Sequence, residues 1–427
     1  MTAPGRGALT PWLVAGISLS WALLGLLWAQ VIALPDPFLP PRFVAELLGD
    51  VPPATTSERF VVMIFKETSL LLCAFALVGL LLAAAAYGSG ARKSSLVAAL
   101  LCAVTATISL APTAEARRTA ASEEVPLSLP GYFEVPPVAK GVPETLTYAR
   151  PGGEELKLDV WRPPEDVGGE DGAEAGRPAV VVVHGGGWRS GNRGEFPEWN
   201  AWLAEKGYVV FDIDYRLSPP PSWQDAPGDV RCAVGWVKEN SSRYGVDPGR
   251  VALMGRSAGG HLALLTAYTE GSAALPSGCG VRGERDTSVA AVAAFYPPTD
   301  LARLSSLGYL AGVDGFLGGT RSALPGRYRL SSPVTRVGPN APPTFLVHGG
   351  DDEIVPPAES KLLADRLREA DVPYRLIGLP WANHTFDFFW GGWGAQITRS
   401  SLDEFLGSRL ETPEGTGDDQ SPPRGPG

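Results

Sequence analysis

Chemistry is most concentrated at Gly255-Arg256-Ser257-Ala258-Gly259, a GxSxG turn between the apolar run "VALM" and the run "GGHLALLTAYT". The first run predicts a buried strand and the second a helix, so the serine sits on a sharp strand-to-helix turn. Small flanking residues let the backbone bend there and lift the serine hydroxyl above the sheet edge. Glycine and serine are common turn residues, and the pattern alone also fits an ordinary connection. A serine nucleophile further requires a base and a site for the developing oxyanion. Only four histidines occur in the chain, and three follow Ser257: His261, His348 and His384. His261 lies one helical turn beyond the serine, with its ring directed along the helix. His348 closes the strand-like "TFLVHG", where a histidine commonly fixes a turn. His384, in "LPWANHTFD" after the last strand-like run, lies where a mobile base belongs, and it is the expected general base. The acid is expected in "GGDDEIVPP", among Asp351, Asp352 and Glu353. An order of Ser, Asp, His is the one this strand–turn–helix arrangement requires. The loop His184-Gly185-Gly186-Gly187-Trp188 follows another buried run, and its glycines let backbone N–H groups approach a substrate carbonyl. A phosphate cradle is the competing reading of that loop, but no GK[ST] follows and no GxGxxG fits.

These residues need a scaffold. "LKLDVW", "AVVVVHG", "YVVFDIDY", "VALMG", "AAVAAFY", "TFLVHG" and "YRLIGL" are short, nearly continuous apolar runs, as expected of strands buried on both faces of a parallel sheet. Between them "DVRCAVGWVKENSSRYG" carries Val230, Ala233, Val234 and Val237 at helical spacing, and "ESKLLADRLREAD" repeats the pattern. The class is α/β with a mainly parallel sheet.

Ahead of this domain the chain changes character. Uncharged runs of 29, 24 and 21 residues lie between Arg6 and Asp36, Glu67 and Arg92, and Lys93 and Glu115. Each is long enough to cross about 30 Å of hydrocarbon. The expected organisation is a membrane region with three transmembrane helices over 1–112, a proline-rich linker over 113–143, the α/β domain over 144–410 and a disordered tail over 411–427. Arg6 and the pair Arg92–Lys93 favour an N-terminus inside and a C-terminal domain outside. The basic residues Arg42, Arg59, Lys66, Arg117 and Arg118 pull the other way. A net charge of −10 repels phosphate backbones, which argues against nucleic acid as a partner. The four cysteines form no CxxC and no HExxH occurs, so neither a protein-built metal site nor a cofactor is expected.

With "HGGGW", "DYRLSP", "GRSAGG" and "HGGDDEIVP" followed by "NHTF", residues 144–410 resemble the α/β-hydrolase superfamily, in particular the hormone-sensitive-lipase type of esterases and lipases and the neighbouring feruloyl-esterase-like group. The resemblance implies an α/β-hydrolase fold and cleavage of small-molecule carboxylic esters. It places the acid on Asp352 and the oxyanion donors on the N–H groups of Gly186, Gly187 and Ala258. It stops at the linker. Many relatives carry a sizeable helical cap, whereas here the insert after "AAVAAFYPPTD" is modest, which leaves the substrate pockets undefined. A membrane-anchored, cell-membrane serine esterase with its catalytic domain extracytoplasmic is the leading expectation. A serine peptidase of related fold and a non-catalytic membrane module are the alternatives. In this fold the helix bearing Cys232 and the loop bearing Cys279 share one side of the sheet, so the two thiols either pair or remain reduced.

Overall fold

A computed structural model describes residues 11–33, 66–137, 143–165, 167, 176–272, 275, 279, 286–307 and 312–410. The expected tail over 411–427 lies outside them. Eight strands form one sheet: β1 (Glu144–Ala149), β2 (Leu156–Trp161), β3 (Arg177–Val183), β4 (Val209–Ile213), β5 (Val246–Arg256), β6 (Ala291–Phe295), β7 (Thr344–Gly349) and β8 (Tyr374–Leu379). Their spatial order is β1-β2-β4-β3-β5-β6-β7-β8. β1–β2 and β2–β4 pair antiparallel, and every other neighbouring pair is parallel. The parallel strands therefore end along one edge, where α/β sheets bind their ligands.

Numbered in chain order, the longer helices are α1 (Pro11–Ala33), α2 (Ser69–Gly88), α3 (Arg92–Ser122), α4 (Pro197–Glu205), α5 (Asp225–Glu239), α6 (Ala258–Tyr268), α7 (Ala358–Glu369) and α8 (Trp393–Leu410). Strand alternation builds two cores. Val181, Val183 and Leu253 face α5, α6 and α7, while Val180, Val182 and Met254 face α4 and α8. Burial on both faces explains why the central strands read as unbroken apolar runs. Cys232 of α5 and Cys279 are joined by a disulfide, with Cα atoms 5.8 Å apart.

Helices α1, α2 and α3 are each long and apolar enough to cross a membrane. They pack on one another through small residues, with Gly25 against Phe75 and Thr105, and Gly79 against Trp21 and Cys102. Trp21 stacks on Phe75 at 4.1 Å. Close approach at small residues is how apolar helices associate where water supplies no driving force.

The linker expectation fails at its start. Residues 113–122 continue α3 through Pro112, giving a helix of 31 residues. Proline removes a backbone hydrogen bond and crowds the preceding turn, which is why it reads as a stop. Here "TAEARRTAAS" consists largely of helix formers, and Ala116 and Ala120 are buried in the core on the second face of the sheet. Packing outweighs the local break.

Candidate active site

Ser257 follows the last residue of β5 and precedes the first of α6. Its φ of 52° and ψ of −120° lie where a side chain is strained, and the turn holds because both neighbouring elements are fixed. Gly259 cannot be larger: a Cβ there would overlap the carbonyls of Val183 and His184. The close packing that glycine permits brings β3 and the loop after it against the serine turn. In that loop Gly186 has φ +99°, and a Cβ on it would clash with the Ser190 backbone. Arg193 anchors the far end of the loop, donating to Asp159 at 2.9 Å and to Asp214 at 2.6 Å. Asp212 accepts from the Gly194 N–H at 2.6 Å and from Asn200 at 2.8 Å. Burial pushes the Asp212 carboxyl up to about 7 despite those two donors.

His384 lies five residues beyond β8, and its Nε2 is 3.0 Å from Ser257 Oγ. Its Nδ1 is 2.7 Å from Asp352 Oδ2. The other carboxylate oxygen of Asp352 accepts the N–H groups of Ile354 and Val355, each at 2.8 Å. Burial alone would raise the Asp352 pKa, but His384 and His348 outweigh it and hold the carboxyl well below the usual carboxylate range. An ionised Asp352 fixes the imidazole with Nδ1 protonated and Nε2 free to accept from the serine hydroxyl. Asp351 points away and pairs with Lys66 at 2.8 Å.

Comparison with known proteins points to esterases. The BD-FAE family profile matches residues 166–367. A probable carboxylic ester hydrolase, LipM of Mycobacterium tuberculosis, is 35% identical over 261 residues, covering 60% of this chain and 58% of its own length. Esterase LipQ of the same organism is 32% identical over 262 residues, 60% of each chain. This chain thus spans about three fifths of the length of those relatives. The solved structure of the Thermogutta terrifontis esterase Est2 superposes with a TM-score of 0.53 at 26% identity, over 66% of this chain and 97% of that one. The mostly parallel eight-stranded sheet and these esterase matches fit an α/β-hydrolase fold.

The other three histidines are buried and held by hydrogen bonds and ring contacts. His261 Nδ1 accepts from Trp188 Nε1 at 3.1 Å and its Nε2 donates to the Ser331 carbonyl at 2.7 Å. Burial lowers it to about 4. His184 is stacked on Tyr215 and is likewise lowered to about 4 by burial. His348 bonds Ser360 at 2.7 Å and the Val355 carbonyl at 2.9 Å, and its Nε2 is 3.3 Å from Asp352 Oδ2. It therefore contacts Asp352 rather than Ser257. Among the described residues no group of His, Cys, Asp or Glu is arranged to hold a metal ion.

Sequence reasoning overlooked a second buried triad of groups beneath the first. Arg256, the variable residue of GxSxG, donates to Asp387 at 2.5 Å, and Tyr296 OH donates to the other oxygen of the same carboxylate at 2.5 Å. The Tyr296 ring lies 4.4 Å from that of His384. The ion pair thus ties the nucleophile turn to the loop that carries His384. Its one visible signal is an acid three residues after the base in "NHTFD".

Proposed function

We propose that the chain is a membrane-anchored serine hydrolase that cleaves carboxylic esters through an acyl-enzyme, with residues 144–410 as its catalytic domain. The observation that carries this reading is the continuous hydrogen-bond chain from Ser257 Oγ through His384 to Asp352, at 3.0 and 2.7 Å. The esterase names of its relatives support the substrate class. In the first half-reaction His384 Nε2 takes the Ser257 proton as Oγ attacks the ester carbonyl. The N–H groups of Gly186, Gly187 and Ala258 receive the oxyanion, assisted by the N-terminus of α6. His384 then protonates the departing alcohol. In the second half-reaction it deprotonates the water that attacks the acyl carbonyl and returns that proton to Ser257 Oγ as the acid leaves, while Asp352 remains ionised and stabilises the imidazolium.

Three spans anchor the domain in the cell membrane, with the N-terminus inside and the catalytic domain outside. The Cys232–Cys279 disulfide supports that side, because such bonds persist in oxidising compartments. The test is a panel of p-nitrophenyl esters and chromogenic peptides on the purified full chain, with Ser257→Ala alongside. Ester turnover that falls at least ~1000-fold in Ser257→Ala is expected. Peptide cleavage without ester cleavage, or ester turnover undiminished in the variant, overturns the reading.

A further inference from the structure

The membrane-anchored reading leaves open which side of the catalytic domain faces the bilayer, and the contacts between the helical bundle and the sheet domain answer that. Helix α3 runs beside β8 in the opposite direction. Its Thr113 Oγ1 accepts from Trp393 Nε1 at 3.0 Å, just past the loop that carries His384. At its other end Glu123, the residue capping α3, pairs with Arg375 at 3.1 Å, at the start of β8. The membrane-crossing part of α3, residues 92–112, therefore projects beyond the edge where the parallel strands end. Those 21 residues span about 30 Å, the thickness of the hydrocarbon.

Helix α2 meets the same edge independently. Lys66, three residues before it, is buried and pairs with Asp351, the neighbour of Asp352. Glu67 packs against Gly392, and its carbonyl accepts the hydroxyl of Tyr132. A chain of contacts thus runs from the head of the bundle through Asp351 and Asp352 to His384 and Ser257. Around this corner four large apolar side chains are exposed: Leu129, Phe133, Val135 and Phe388. Tyr132, beside Phe133, touches Phe389 edge-on at 5.3 Å, which joins these residues to the loop after His384. Aromatic and aliphatic side chains at the head of a transmembrane bundle suit the membrane–water interface.

We propose that the catalytic edge of the sheet is held against the bilayer surface and that the substrates are esters resident in that leaflet. This rests on the serine-esterase and membrane-anchor readings above, and names their substrate class. A lipid ester then needs to rise only partway out of the membrane to bring its carbonyl to Ser257, and its chains need not leave apolar surroundings entirely.

The test uses the full chain reconstituted in phosphatidylcholine vesicles. Two esters of the same acyl group are assayed, a water-soluble p-nitrophenyl ester and a diacylglycerol dissolved in the bilayer. Replacing both Phe133 and Val135 by Asp should cut diacylglycerol turnover about tenfold and leave the soluble ester unchanged, because charge at the interface lifts this edge. A fluorophore on Val135→Cys, in a Cys73→Ser/Cys102→Ala background, should be quenched by headgroup-depth nitroxide lipids. The same fluorophore on Glu369→Cys, near the opposite edge of the sheet, should not. Equal quenching at both sites, none at Val135, or soluble-ester turnover without diacylglycerol turnover overturns the proposal. Absence of turnover on both esters with the expected quenching pattern instead removes the esterase reading while leaving the orientation in place.

Discussion

Arg256 illustrates how one side chain beside the nucleophile organises its surroundings. It is buried, its guanidinium lies over Phe196 at 4.2 Å, and its charge is neutralised by Asp387. Removing one partner of a buried pair leaves the other charge stranded, which costs about 3–5 kcal/mol. Asp387→Asn should therefore lower the melting temperature in detergent and reduce kcat more than it changes KM, since the His384 loop loses its tie to the serine turn. The double variant Arg256→Met/Asp387→Asn should recover part of the stability, and a thermal-unfolding double-mutant cycle measures the coupling. Among the histidines, His384→Ala should match Ser257→Ala in steady-state ester assays. His348→Ala should show an intermediate loss through Asp352, and His261→Ala should chiefly lose stability. Glu67 gives the pH dependence. Burial, then repulsion from Asp387, raise its carboxyl from 4.5 to about 8. A group that holds its proton more tightly when folded adds stability that is fully present below its unfolded pKa and is lost as pH rises through the folded one. Melting temperature should therefore fall as pH rises from about 4.5 to about 8 and level off above that, and Glu67→Gln should remove most of that fall.

Elements differ in how far they announce themselves. The central strands were legible because both faces of each are buried, so the apolar runs "AVVVV" and "VVFDI" have nothing else to be. β1 escaped because it is a half-exposed edge strand, "ETLTYA", whose threonines and glutamate mask the period. The Ser257–His384–Asp352 hydrogen-bond chain could be anticipated from local motifs, since each member lies at or just beyond a strand end that its flanking sequence marks. The Arg256–Asp387 pair could not, because 131 residues separate partners that meet only in the folded sheet. The disulfide was geometrically open from sequence, and the fold closes it between α5 and the loop beyond α6. It crosslinks residues 47 apart, so reduction or Cys232→Ser/Cys279→Ser should cost about 4 kcal/mol, read as a lower melting temperature of the otherwise intact chain.

At the scale of the whole molecule, the bundle and the sheet domain share a core. Ala116 and Ala120 of α3 lie in one cluster with Phe345, Ile377, Trp393 and Phe405. A chain beginning at Glu123 would expose that groove and should aggregate or melt earlier, whereas one beginning at Thr113 keeps the docked segment. Comparing the two by size-exclusion chromatography and thermal unfolding checks the point. The composition of 113–143 suggested a linker, because it is polar and proline-rich, and nothing in the local sequence records that a sheet face waits to receive residues 113–122. The uninterrupted helix also has a consequence for spacing. It works as a shaft with a fixed phase: one residue inserted between Pro112 and Thr113 turns everything beyond it by about 100° and advances it about 1.5 Å. Seven inserted residues restore the facing to within about 20° but raise the domain by about 10 Å. Length in this stretch is thus under angular as well as linear control, and on the proposed membrane-facing orientation an enzyme mounted this way would meet its substrates as they drift past in two dimensions rather than by swinging out to find them.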